Sequence, residues 1–198
     1  MKQFNQRVIL FQDKQINDTI KVGNVDFVLD NAFRKAWNTI QKAVVFSAPK
    51  DTDLMPFDEV IVHHFISESE HKLPIMDKKL SWLEYSQIYA RIRNGELKML
   101  NNYLFVEPIK FDNTRFFNSD SGFLMTNRSG NDYVERMGVA YKISDSCREA
   151  GLNEGDIIIF GKNCEYQIDV DGKQLYRMEL RDVITTINED MKITAIKA

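Results

Sequence analysis

Short apolar runs separated by polar turns dominate the chain. Arg7-Val8-Ile9-Leu10-Phe11, Val44-Val45-Phe46, Val60-Ile61-Val62, Tyr103-Leu104-Phe105-Val106, Gly138-Val139-Ala140-Tyr141 and Ile157-Ile158-Ile159-Phe160 are too short for helices and rich in β-branched and aromatic residues. Strands at this spacing, with few helical stripes between them, predict an all-β fold of small barrels or sandwiches. One stretch differs. Phe33, Trp37, Ile40 and Val44 recur at helical spacing behind candidate caps at Asp30 and Asn31, which predicts a short helix over 30–44.

The runs also repeat in order. Arg7–Asp13 resembles Asn102–Glu107, displaced by 95 residues, and Asp26–Leu29 precedes Gly122–Met125 by 96. Asp58–Val62 lies 97 before Gly155–Ile159, and Leu80–Ile92 lies 95 before Leu175–Ile187. Four blocks in one order at nearly constant offset predict a tandem duplication. The seam falls near Asn94-Gly95, a favoured tight-turn pair, so the expected units are 1–95 and 96–198. No Pro- or Ser-rich linker separates them, which predicts joined rather than tethered domains. The stretch matching the candidate helix, 127–139, carries no helical stripe.

Composition narrows the function classes. A 43% hydrophobic content supports ordinary cores, and a net charge of −3 without a Lys/Arg stripe argues against nucleic acid as a partner. The two cysteines, Cys147 and Cys164, make neither a disulfide framework nor a zinc pattern. The first residues lack a signal-peptide core, and no apolar run approaches the roughly 20 residues of a membrane helix. These features predict a soluble cytoplasmic chain with no membrane partner. His63-His64 and His71 have no suitable third ligand spacing, so neither a metal nor any other cofactor is expected. Glu68 and Glu70 alternate with serines and read as a solvated acidic loop. No phosphate-cradling glycine loop, nucleophile elbow or carboxylate pair is present, which predicts a protein that is not an enzyme.

The second half carries a more specific pattern. Gly155-Asp156 turns into the Ile157–Phe160 strand, and a polar step at Glu179-Leu180-Arg181-Asp182 leads into Val183-Ile184. Ahead of both, polar 118–121 is followed by Gly122-Phe123-Leu124-Met125 and a second polar stretch. This order resembles the GroES family of co-chaperonins, the lids of chaperonin rings. The resemblance covers residues 100–190 and, more weakly, 5–93. It implies two tandem GroES-like β-barrels, the first degenerate and the second better preserved, with the short helix of the 30–44 stripe falling in the first. It also implies that Gly122, Phe123, Leu124 and Met125 form a mobile loop that docks on an ATP-bound GroEL-like ring. Phe27, Val28 and Leu29 are the counterpart in the first half. Asp58-Glu59 stands where the first half would carry Gly-Asp, which leaves the turn there without its glycine. The short 142–154 segment lacks the extra roof hairpin of many bacterial members, as in some phage-encoded relatives. In that case the working compartment is the host cytoplasm.

The physics of such a loop is restrictive. Burying Phe, Leu or Met gains roughly 1.5–3 kcal/mol each, while ordering a flexible segment costs on the order of 1–2 kcal/mol per residue. One loose loop therefore binds weakly, and several on a ring bind together through effective concentration. The resemblance accordingly implies a homo-oligomeric ring that caps the chaperonin and assists folding. Ring contacts are expected at edge strands, with Val8–Phe11 and Ile193–Ile196 as candidates. Two units per chain do not divide evenly into the seven places of the family's usual partner. The alternative is a structural or assembly protein that keeps the fold without binding chaperonin.

Overall fold

The computed structural model describes residues 6–29, 39–110 and 133–187. The chain divides into two units, Met1–Asn101 and Asn102–Ala198. The first holds β1 (Arg7–Phe11), β2 (Thr19–Val22), β3 (Val25–Val28), β4 (Lys42–Ser47), β5 (Glu59–Val62), β6 (Leu80–Glu84), β7 (Ile88–Arg93) and β8 (Glu96–Met99). The second holds β9 (Tyr103–Lys110), β10 (Tyr133–Ile143), a short helix α1 (Asp145–Glu149), β11 (Ile157–Phe160), β12 (Tyr166–Val170), β13 (Lys173–Glu179) and β14 (Val183–Ile187). The protein is all-β apart from α1 and a few 3-10 turns among the described residues.

The two sheets share one plan. The first runs β6-β1-β4-β5-β7-β8 and the second β12-β13-β9-β10-β11-β14, so β6-β1-β4-β5-β7 and β13-β9-β10-β11-β14 are the same five-strand order. Irregularities coincide as well. Phe46 bulges out of the β1–β4 ladder and Tyr141 out of the β9–β10 ladder. Tyr89 and Ile184 are skipped in the corresponding β5–β7 and β11–β14 ladders. The step into the last shared strand is a 3-10 turn with reciprocal end bonds in both units: Gln87 Oε1 accepts from Glu84 N–H at 3.0 Å, and Asp182 Oδ2 from Glu179 N–H at 2.8 Å. A cation–π pair is kept with its roles exchanged. Arg7 lies 4.3 Å over Trp82, whereas Arg177 lies 5.5 Å from Tyr103. Each core follows suit, Val8, Leu10, Val60, Val62 and Leu83 matching Leu104, Val106, Ile158, Phe160 and Met178, all fully buried.

Several expectations change. The sheets are not closed barrels: among the described residues the strand order ends at β6 and β8 in one and at β12 and β14 in the other. β8 alternates Glu96 and Lys98 with Leu97 and Met99, a charged edge that discourages pairing. β1 is not an edge strand; β4 and β6 pair with its two sides, which removes Val8–Phe11 as a ring contact. Ile193–Ile196 lies outside the described residues. The expected helix does not run through Val44, because Lys42–Ser47 is strand β4 with Ala43 and Val45 buried at period two; residues 30–38 lie outside the described residues. Asn94-Gly95 does turn tightly, both residues at positive φ, but it joins β7 to β8. The division between units therefore comes after Asn101. The β12–β13 hairpin was signalled by Asp171-Gly172, at φ 52° and 81°, a pair suited to a two-residue turn.

The Gly-Asp turn is shifted by one residue from the sequence alignment. Phe57 N–H donates to Val45 O and Met55 N–H to Asp58 Oδ2, both at 2.8 Å; Gly155 N–H donates to Ala140 O and Asn153 N–H to Asp156 Oδ2 at the same lengths. Phe57-Asp58 is thus the counterpart of Gly155-Asp156, at an offset of 98. Phe57 adopts φ 74° where Gly155 has 92°. An L-residue in that region costs about 1–2 kcal/mol, partly offset by the larger chain entropy glycine loses on folding. Phe57 is also 88% exposed, so little packing is lost with it. Phe57→Gly should raise the stability of the first unit by about 0.5 kcal/mol in urea unfolding. A decrease would show that the phenyl ring makes a contact the solvent-exposed geometry does not contain.

Candidate docking hairpin

Between β1 and β4 the chain leaves the sheet and forms a separate two-stranded ribbon, β2–β3. Alternating apolar residues on both arms and Gly23-Asn24 between them explain it. Gly23 sits at φ 62°, the first central position of a two-residue hairpin turn. The register pairs Val22 with Val25, Lys21 with Asp26, Ile20 with Phe27 and Thr19 with Val28. Since side chains alternate across a strand, Val22, Val25 and Phe27 share one face, and Val28 lies on the other with Lys21 and Asp26. Val22 is 59%, Val25 56% and Phe27 51% exposed. These three form a contiguous apolar face with no covering among the described residues.

The hairpin stands on a bonded stem. Leu29 N–H donates to Asp18 O at 2.8 Å, and Lys14 pairs with Asp18 at 3.5 Å. Ile16 bridges Thr39, and Ile40 N–H donates to Gln15 O at 2.9 Å. At the foot, Lys79 Nζ meets Asp13 Oδ1 at 2.7 Å, a bond that raises the lysine pKa above its ordinary value.

Of the sequence candidates, Phe27 and Val28 are exposed on opposite faces, and Leu29 is half-buried at the base. Gly122, Phe123, Leu124 and Met125 lie outside the described residues. They fall between β9 and β10, the place in the second unit that the hairpin takes in the first. Val22 and Val25 were not anticipated; the signal was the Gly23-Asn24 turn flanked by alternating residues. The histidines pack into an aromatic belt. His71 is buried, its Nδ1 lies 3.1 Å from Trp82 O, and its ring centres 4.5 Å from the Trp82 ring. His63 accepts from Phe65 N–H as the cap of a 3-10 turn. Among the described residues no group of three His, Cys, Asp or Glu side chains could hold a metal ion. No helix among them is long and apolar enough to cross a membrane.

No protein-family model matches the chain, and no curated protein does. The residues themselves therefore carry the functional argument.

Proposed function

We propose that the protein is a co-chaperonin that docks on an ATP-bound chaperonin ring through exposed apolar loops and closes its cavity. The observation that carries the reading is the β2–β3 hairpin, an apolar face presented from between the first and second shared strands of the sheet. The common plan of the two units, the Gly-Asp-type turn and the capped polar step support the GroES-like resemblance. Nothing in this function requires a catalytic group or a bound cofactor in the chain itself.

Preformed strands alter the energetics estimated for a loose loop. Burying the exposed halves of Val22, Val25 and Phe27 contributes about 1 kcal/mol each. The four cross-strand pairs form on folding, so less ordering remains to be done on docking. Several such hairpins on a homo-oligomeric ring would then bind by effective concentration while each remains individually releasable.

The test is binding of the full-length protein to a purified GroEL-like ring, with and without ATP. Binding should depend on ATP, and Phe27→Asp should weaken it about 100-fold, because a charge replaces a buried ring. Lys21→Ala, on the opposite face, should leave it unchanged. Leu124→Asp separates the contribution of the second unit. Absence of binding in every nucleotide condition would falsify the reading and favour a structural or assembly role.

A further inference from the structure

We infer that Gln12 and the Thr39–Ser67 hydroxyl pair form a positioning clamp that fixes the direction in which the β2–β3 hairpin leaves the first unit. The partner this serves rests on the co-chaperonin reading; the clamp itself rests on geometry. Gln12 follows β1 and is 4% exposed. Its Nε2 donates to Ile40 O at 2.8 Å and to Lys42 O at 2.9 Å, and its backbone N–H donates to Lys79 O at 3.0 Å. One buried side chain thereby ties the segment leaving β1 to the segment entering β4. Two steps further out, Thr39 Oγ1 and Ser67 Oγ lie 2.9 Å apart, both residues buried, and attach the returning stem to the His64–Ser67 turn. Ile16, bridged to Thr39, is two residues from Asp18, which accepts the bond at the base of the hairpin.

Two further observations separate positioning from ordinary packing. Gln12 Oε1 is buried with no partner among the described residues. A half-satisfied buried amide is a poor choice for stability alone, since an apolar side chain of similar shape avoids the desolvation cost. The second unit, built on the same sheet, carries Pro108 and Val134 at the corresponding positions, and neither offers a side-chain donor. At these matched positions the donors of the clamp are present in the first unit alone.

The experiment uses the full-length chain with Gln12→Met and, separately, Thr39→Val, which keep side-chain volume and remove the donors. Amide hydrogen exchange at Leu29 and along β2–β3 should accelerate about tenfold or more, while Val60 and Leu83 of the six-stranded sheet stay within about twofold of the native rates. Binding to an ATP-loaded GroEL-like ring should weaken about tenfold, since the hairpin must then be oriented at the moment of docking. Native exchange at the hairpin in both variants would overturn the clamp. So would equal loosening of hairpin and sheet, which marks Gln12 as a plain stabiliser, or native binding by a loosened hairpin, which removes its positioning role. If the unsubstituted protein binds no ring under any nucleotide condition while both variants free the hairpin, the co-chaperonin reading falls and the clamp stands.

Discussion

Asp58→Ala should cost the first unit about 1.5–3 kcal/mol, the loss expected for charge-assisted hydrogen bonds whose cationic partner, Arg93, keeps some access to solvent. The carboxylate is 4% exposed and receives both arms of the Arg93 guanidinium, Nε on Oδ1 and Nη2 on Oδ2, each at 2.7 Å. It also accepts from Met55 N–H, so its loss removes the main partner of Arg93 and opens the turn that leads into β5. Both tryptophans, Trp37 and Trp82, belong to the first unit, so urea unfolding followed by tryptophan fluorescence reads that unit selectively. A midpoint unchanged by Asp58→Ala would show that the pair contributes nothing net.

The same group makes the first unit sensitive to acid. The Arg93 bond, aided by Met55 N–H, holds the Asp58 carboxyl below its ordinary value against the opposing effect of burial. A depressed carboxylate contributes stability that is complete above the unfolded-state pKa of about 4 and disappears as pH falls through the folded value. The fluorescence midpoint should therefore drop below about pH 4, and Asp58→Asn should flatten that limb while lowering the plateau.

Gly138→Ala should destabilise the second unit by about 2–3 kcal/mol through overpacking. A Cβ at Gly138 would collide with Val106 Cγ1 and lie 2.9 Å from Glu107 O, and neither backbone nor β-branched side chain can swing away. Gly138 sits between β9 and β11, with strands paired on both sides. The first unit carries Ala43 at the matching position, and its β1 has Leu10 where β9 has Val106, a side chain whose branch lies one carbon further out. Gly138→Ala combined with Val106→Leu should accordingly recover part of the loss, with a coupling of about 1 kcal/mol in a double-mutant cycle. Hydrogen exchange in β9–β11 supplies the measurement, and full additivity would remove the steric account.

Much of the shared plan was legible in the strand blocks because period-two burial and turn pairs are local signals. The Leu80–Ile92 and Leu175–Ile187 blocks superpose at their sequence offset, 3-10 turn included. The turn before β5 aligns one residue off in the sequence because the first unit carries no glycine there to mark it. Positive φ is a backbone property, and Phe57 adopts it under the hold of Asp58 and Val45. The Phe27-Val28-Leu29 candidate was found as an apolar run, yet its splitting between two faces follows from register, which the run does not encode. Gln12 was invisible, since its partners Ile40 and Lys42 are 28 and 30 residues away.

The repeated strand blocks, the all-β class and the place of an apolar segment between β1 and β4 are all readable along the chain. Local alternation and turn chemistry suffice for these. Which strands end each sheet, the interior place of β1, the shared face of Val22, Val25 and Phe27, and the tie that Gln12 makes between both stems of the hairpin come from long-range pairing. Those depend on which distant strands pair and in what register, where a shift of one residue exchanges the two faces of a strand.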